Sequence, residues 1–242
     1  MRIGKRSKPL IWEGRVNQWM SHLRFVALCF CTVVVAACGG GGDGGPPPPT
    51  APDMTGTWFG TVEDPNSVMH TTSVTISGTS ITEIRVDGLV VPGRTGTIAQ
   101  RSAQVFAFTL NDGTKGGFFL DSSLAHAAFV DDEFNFGVVQ KGATVVPTYA
   151  NADINGSWSG IVVTTTDFNT FNTASSGATC THPTCVIGGD AVTFGAVDAL
   201  GRYQSTSAFV AAFLSPDKQF GGTYACDAAF PGGCEFTAWR KQ

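Results

Sequence analysis

The 242-residue chain has no apolar run long enough to cross a bilayer as a helix, which takes about 20 residues; its best candidate, Phe25 to Ala37, has 13. It has no phosphate-binding P-loop, no calcium loop, and no dinucleotide fingerprint set between a strand and a helix. It also has no Gly-x-Ser-x-Gly elbow to present a nucleophilic serine. No window of a dozen residues after position 38 combines helical spacing with caps, and 30 glycines weigh against long helices. Together these absences remove helical membrane proteins, nucleotide-driven enzymes and serine hydrolases with an elbow, and leave a β-rich chain.

Basic residues are scarce where they would matter for nucleic acid. Of 15 Lys and Arg, six lie before Cys38, against one of 19 Asp and Glu, so the chain from Cys38 onward carries 9 basic and 18 acidic side chains. A surface with that balance repels a phosphate backbone, and nucleic acid is not an expected partner.

What the sequence does have is a step at Cys38. Arg24 and the apolar stretch Phe25 to Ala37 form the charged and apolar regions of an export signal, ending in small residues at Val35-Ala36-Ala37-Cys38. These four residues resemble the lipobox of bacterial lipoproteins, and the resemblance implies cleavage before Cys38 and diacylation of its sulfur. Two or more acyl chains anchor stably where one holds only marginally. In that family an Asp after the cysteine favours the inner membrane; Gly39 stands here, which implies the outer membrane, on either its periplasmic or its cell-surface side. Residues 1–37 are the expected signal peptide. A start at Met20 gives a conventional 18-residue leader, with residues 1–19 a misassigned start.

Cys38 to Pro52 reads as the lipidated cysteine and a Gly/Pro tether, without apolar periodicity and with a reach of about 40 Å. Beyond it the chain repeats. Asp53-Met54-Thr55-Gly56-Thr57-Trp58-Phe59-Gly60 returns as Asp153-Ile154-Asn155-Gly156-Ser157-Trp158-Ser159-Gly160, and Phe136 and Lys141 return as Phe236 and Lys241. Between these ends, Gly116-Gly117-Phe118-Phe119 matches Gly221-Gly222-Thr223-Tyr224 at an offset of 105, which calls for an insertion in the second copy cancelled by a shorter hairpin later. The expected units are 53–142 and 153–242, joined by 143–152.

Both units read as β. Val105 to Leu110 is strand-like and stops at Asn111-Asp112-Gly113, a tight-turn signal; 74–76 and 81–86 flank Ser77-Gly78-Thr79-Ser80 in the same way. Further strands are expected at 116–121, 125–130 and 134–140. The fold class is all-β: two tandem antiparallel meanders, small up-and-down barrels that either close separately or share one sheet. Gly56-Thr57-Trp58 and Gly156-Ser157-Trp158 are similar to the opening strand of lipocalins and avidins, whose tryptophan plugs one barrel end. That resemblance implies a basic residue of the last strand, Lys141 or Arg240, covering the ring.

Four cysteines follow the anchor, all in the second unit, and an exported address makes two disulfides the expectation. Cys226 with Cys234 is favoured because the pair flanks a hairpin, and Cys180 with Cys185 follows by default. The competing reading of Cys180-Thr181-His182-Pro183-Thr184-Cys185 is a thiolate–imidazole metal site; the oxidising address argues against it, and no metal or cofactor is expected.

Catalytic ingredients are thin. Ser122, His126 and Asp131 have the composition of a triad, but His126 in a β segment reads as a partly buried, hydrogen-bonded side chain, and Asp131-Asp132-Glu133 as a solvated turn. Phenylalanines 106, 108, 118, 119, 129, 134 and 136 read as core filling. The least core-like stretch, 168–184, reads as a long irregular loop absent from the first unit and the best guess for a recognition surface, through Phe168, Asn169, Phe171, Asn172 and His182. The functional expectation is a noncatalytic binding or interaction module on a lipid anchor, meeting an envelope protein, a glycan or a small apolar ligand. The alternatives are a structural envelope protein without a ligand and a hydrolase built around His126.

Overall fold

The computed structural model describes residues 52–165, 167–206, 210–226 and 234–242. The expected leader, Cys38 and the tether up to 51 lie outside the described residues. Among those described, no helix is long and apolar enough to cross a membrane.

The first unit contains β1 (Gly56–Glu63), β2 (Met69–Ser77), β3 (Ser80–Val86), β4 (Leu89–Val90), β5 (Gly96–Gln100), β6 (Val105–Leu110), β7 (Lys115–Leu120), β8 (His126–Asp131) and β9 (Phe136–Lys141). Every neighbouring pair is antiparallel. β1 pairs with both β2 and β9, and β2 pairs with β3, so eight strands close a ring; the two-residue β4 hangs outside it on β3. The second unit closes likewise through β10 (Gly156–Thr165), β11 (Asn172–Thr181), β12 (Thr184–Ile187), β13 (Asp190–Val197), β14 (Arg202–Ser205), β15 (Val210–Leu214), β16 (Phe220–Cys226) and β17 (Cys234–Lys241). The units are thus two separate eight-stranded barrels of lipocalin-like architecture, and closure leaves no ring strand with a free edge.

Each barrel is plugged at one end in the same way. Trp58 is fully buried and donates its indole N–H to the Met54 carbonyl at 2.9 Å; Trp158 does the same to Ile154 at 2.8 Å. Lys141 Nζ lies 5.7 Å from the Trp58 ring and Lys241 Nζ 5.4 Å from Trp158, a cation over each aromatic face. Gly56 and Gly156 take φ values of +135° and +131°, and a Cβ there would meet the lysine stem at 3.0 Å. The second cation is therefore Lys241 and not Arg240: side chains alternate along β17, so the neighbouring Arg240 points away from the barrel axis.

Three apolar clusters follow from this layout. One fills the first barrel around Trp58, Phe108, Phe118 and Phe129, and another fills the second around Trp158, Phe194, Tyr203 and Trp239. The remaining cluster lies between the barrels and draws Phe119, Ala128, Phe136 and Val138 from one and Phe213, Phe220, Phe236 and Ala238 from the other. This explains the unbroken burial of His126 to Asp131: alternate residues serve the barrel interior and the partner barrel.

The interface joins equivalent surfaces. Phe136 and Phe236, matched in the repeat, stack at 6.0 Å with an interplanar angle of 8°. Phe136 also packs on Phe213 at 5.0 Å, while Phe236 packs on Phe119 at 6.0 Å. The turns after β7 and β15 share their backbone pattern. Leu124 and Lys218 both have positive φ, 58° and 62°; their N–H groups bond Asp121 O and Ser215 O. Asp121 thus corresponds to Ser215 and His126 to Phe220, which stack on each other at 5.5 Å.

That correspondence, an offset of 94 residues, corrects the expected middle register. Gly116 to Phe119 belongs to β7, the sixth ring strand, and Gly221 to Tyr224 to β16, the seventh. The first copy is the longer up to this point, and the connection between β16 and β17 restores the count. One glycine of each pair faces the opposite barrel: a Cβ on Gly117 would lie 2.9 Å from the Phe171 ring, and one on Gly222 would lie 2.9 Å from Thr237 O of its own barrel and 3.1 Å from the Phe136 ring of the other.

The segment 168–184 is also corrected. Most of it is strand, β11 and the start of β12, equivalent to β2 and β3 and held by backbone ladders on both sides. Its Ser/Thr-rich outer face lacks apolar alternation, which is why it reads as a loop. Replacement of Phe136 by Ala, which empties the centre of the interface, is expected to lower the unfolding free energy by about 3–5 kcal/mol in urea titrations; a loss under 1 kcal/mol would show that the interface contributes little.

Candidate functional site

The most unusual chemistry in the molecule sits at one margin of the interface. His126 is only 4% exposed, yet it lies between two carboxylates. Its Nδ1 is 3.1 Å from Asp121 Oδ2 in its own barrel and its Nε2 2.7 Å from Asp217 Oδ2 in the other. Arg240 of β17 reaches back to Asp121 at 3.1 Å, and the Asp217 N–H donates to Gln140 Oε1 at 2.9 Å. Gln140 and Arg240 are themselves equivalents, so each barrel sends the same position of its last strand to the other's turn.

An ionised carboxylate only accepts hydrogen bonds, so both imidazole nitrogens must donate, which requires the imidazolium. Burial alone disfavours that charge, but the hydrogen bonds and charges of Asp121 and Asp217 outweigh it and raise the His126 pKa above its ordinary value of 6.5. Burial likewise pushes the Asp121 carboxyl up, and the hydrogen bonds from His126 and Ser123 with the His126 charge bring it down to about 2. Asp217 is also lowered: burial opposes this, while Ser215, Gln219 and His126 outweigh it. Two carboxylates and two cations close the cluster as a balanced group.

This arrangement leaves His126 without a nitrogen for a serine. Ser122 is exposed, and Asp131 lies at the other end of β8. Asp131 instead accepts the N–H groups of Glu133 and Asn135 and the Asn135 side chain. It is buried where a solvated turn was expected, and that burial raises its pKa to about 6. A second inter-barrel ion pair joins buried Glu63 to Arg202 at 3.4 Å, and the same guanidinium donates to Ser67 O at 2.9 Å.

Among the cysteines, Cys180 and Cys185 are joined by a disulfide. Their sulfurs are therefore not metal ligands, and His182 Nε2 bonds Gly195 O at 2.9 Å. Cys226 and Cys234 stand opposite each other in the β16–β17 register; their side chains lie outside the described residues. No group of three or more His, Cys, Asp or Glu among the described residues is arranged to hold a metal.

The proposed recognition residues separate into two sets. Phe168 and Phe171 pack against the interface cluster, Phe171 edge-on to Phe119 at 5.7 Å. Asn169 and Asn172 are exposed and His182 is half-buried. A void in the second barrel lined by Trp158, Cys180, Leu214 and Trp239 has a volume of about 10 Å³, room for at most one water. Asp217 was missed in the sequence reading because it lies 91 residues from His126 and only barrel pairing brings them together.

The cluster makes stability pH-dependent with a defined sign. A histidine whose folded pKa is raised contributes fully below its unfolded value near 6.5 and loses that contribution as pH rises through the folded value. Asp121, with a lowered pKa, contributes above about 4 and loses this toward pH 2. Replacing His126 by Gln is expected to cost about 3 kcal/mol at pH 5.5, from urea titrations, with the gap to the native chain narrowing by pH 9. A gap that is independent of pH would mean that His126 is neutral in the folded state.

No protein-family model matches the chain, and no curated protein matches it. Among solved structures, a protein of unknown function from the DUF3598 family of Nostoc punctiforme is similar at 12% identity over 78% of this chain and 96% of its own, with a TM-score of 0.30.

Proposed function

We propose that the protein is an outer-membrane lipoprotein, attached through Cys38, that works as a noncatalytic interaction module through the outside of its fused barrels. The observation that carries this reading is the filled interior. Trp58 and Trp158 plug the barrels, aromatic side chains occupy them, and the void beside Trp158 holds about 10 Å³. A lipocalin-type ligand needs a cavity of about 300 Å³ or more. The His126 cluster supports a structural role for that histidine, since both its nitrogens are engaged.

The anchor rests on Val35-Ala36-Ala37-Cys38 and the Gly/Pro tract that follows. A tether with a reach of about 40 Å lets a rigid body meet a partner away from the bilayer. In a bacterial host, the native chain is expected to incorporate radiolabelled palmitate and to sediment with outer membranes. Cys38→Ala is expected to lose the label and the membrane association; equal labelling of the two proteins would overturn the anchor.

A further inference from the structure

We infer that the end of the first barrel opposite the Trp58 plug is a docking surface for a basic polypeptide with an apolar contact patch; this rests on the reading of the protein as an interaction module. Strand direction places four connections there: 64–68, 87–95, 111–114 and 132–135. Six large apolar side chains are exposed among the described residues, and four of them, Val68, Leu89, Val90 and Phe134, stand on these connections. Leu89 is 74% and Phe134 52% exposed. Phe134 is held at a φ of +66°, a conformation that a bulky aromatic adopts at a cost.

The connections form one tied surface. His70 is 2.7 Å from Asp87 and 3.8 Å from Asp64, linking the first connection to the second. Arg94 pairs with Asp112 and with Glu133, linking the second to the third and fourth. The Lys115 N–H donates to Asp132 Oδ1, fixing the last turn. The apolar tips therefore project from a braced rim and not from independent loops.

Charge selects the occupant. The four connections carry five carboxylates, Asp64, Asp87, Asp112, Asp132 and Glu133, against Arg94 and two guanidinium groups that bond their carbonyls, Arg85 on Gly88 and Arg202 on Ser67, which leaves the rim acidic. Such a rim repels a second copy of itself and an anionic lipid surface, and it complements a protein face with Lys and Arg around an apolar centre. The β4 segment supplies Leu89 and Val90, and it lies outside the barrel ring with only β3 as its neighbour. It has no counterpart among the ring strands of the second barrel.

The test is photocrosslinking of the full-length, anchored chain in cells of its source organism. Benzoylphenylalanine is placed in turn at Leu89, Phe134, Ser122 and Asn169, the last two being exposed positions outside the proposed surface. One dominant adduct is expected from positions 89 and 134, with a protein of net positive charge. With the crosslinker at 134, Leu89→Asp is expected to reduce the adduct about tenfold, and raised ionic strength to weaken it. Because Leu89 is exposed, circular dichroism of that variant should match the native protein. An adduct with a second copy, with lipid or with an acidic protein would overturn the proposal. A protein adduct only from 122 or 169 would overturn this surface while leaving the interaction module standing, and no adduct from any position would overturn both.

Discussion

The rest of the structure depends on the apolar contact between equivalent faces of the two barrels. A small up-and-down barrel ordinarily buries one side chain in two and turns the other toward water. Here β8 buries every residue, because Ala127 and Phe129 fill its own barrel while Ala128 and Val130 meet the second. The stacked pair Phe136 and Phe236 lies near the local two-fold relation, and the contacts of Phe136 with Phe213 and of Phe236 with Phe119 repeat about it. Such a surface is the intrachain form of an isologous dimer interface. It gives each barrel of about 90 residues a larger buried core than it could build alone.

The exact repeat is broken where function or specificity can enter. His126 faces Phe220, its own equivalent; Asp121 and Asp217 hold the histidine as a buried cation, and Arg240 balances Asp121. A buried ion cluster of this kind is weak as a source of net stability but strict about geometry, since leaving one partner uncompensated is costly. It fixes which barrel face meets which. Two further asymmetries among the described residues are the β4 segment of the first barrel, at the far end from the plug, and the Cys180–Cys185 disulfide of the second.

Much of this was legible in the sequence and some was not, for identifiable reasons. The paired Gly-x-Trp segments located both plugs because a glycine with positive φ beside a buried indole is a local requirement. Lys241 replaced the expected Arg240 because the choice depends on strand parity, which a one-residue ambiguity reverses. The register of Gly221 to Tyr224 was misread because glycine pairs stand on two non-equivalent strands, where Gly117 and Gly222 each face a ring of the opposite barrel, a contact no single-unit reading contains. Of the phenylalanines read as core, Phe134 instead stands exposed on the β8–β9 turn, and for the others the division between interior and interface needs the closed ring. The His126 cluster joins residues 91 positions apart, His126 and Asp217, and leaves no local pattern.

The central claim is that the two barrels form one cooperative body through their shared face. Differential scanning calorimetry of the intact protein near pH 6 addresses it most directly. The account predicts a single transition in which the calorimetric and van't Hoff enthalpies agree. Two resolved transitions, or a calorimetric enthalpy near twice the van't Hoff value, would show that the barrels unfold independently and would contradict it.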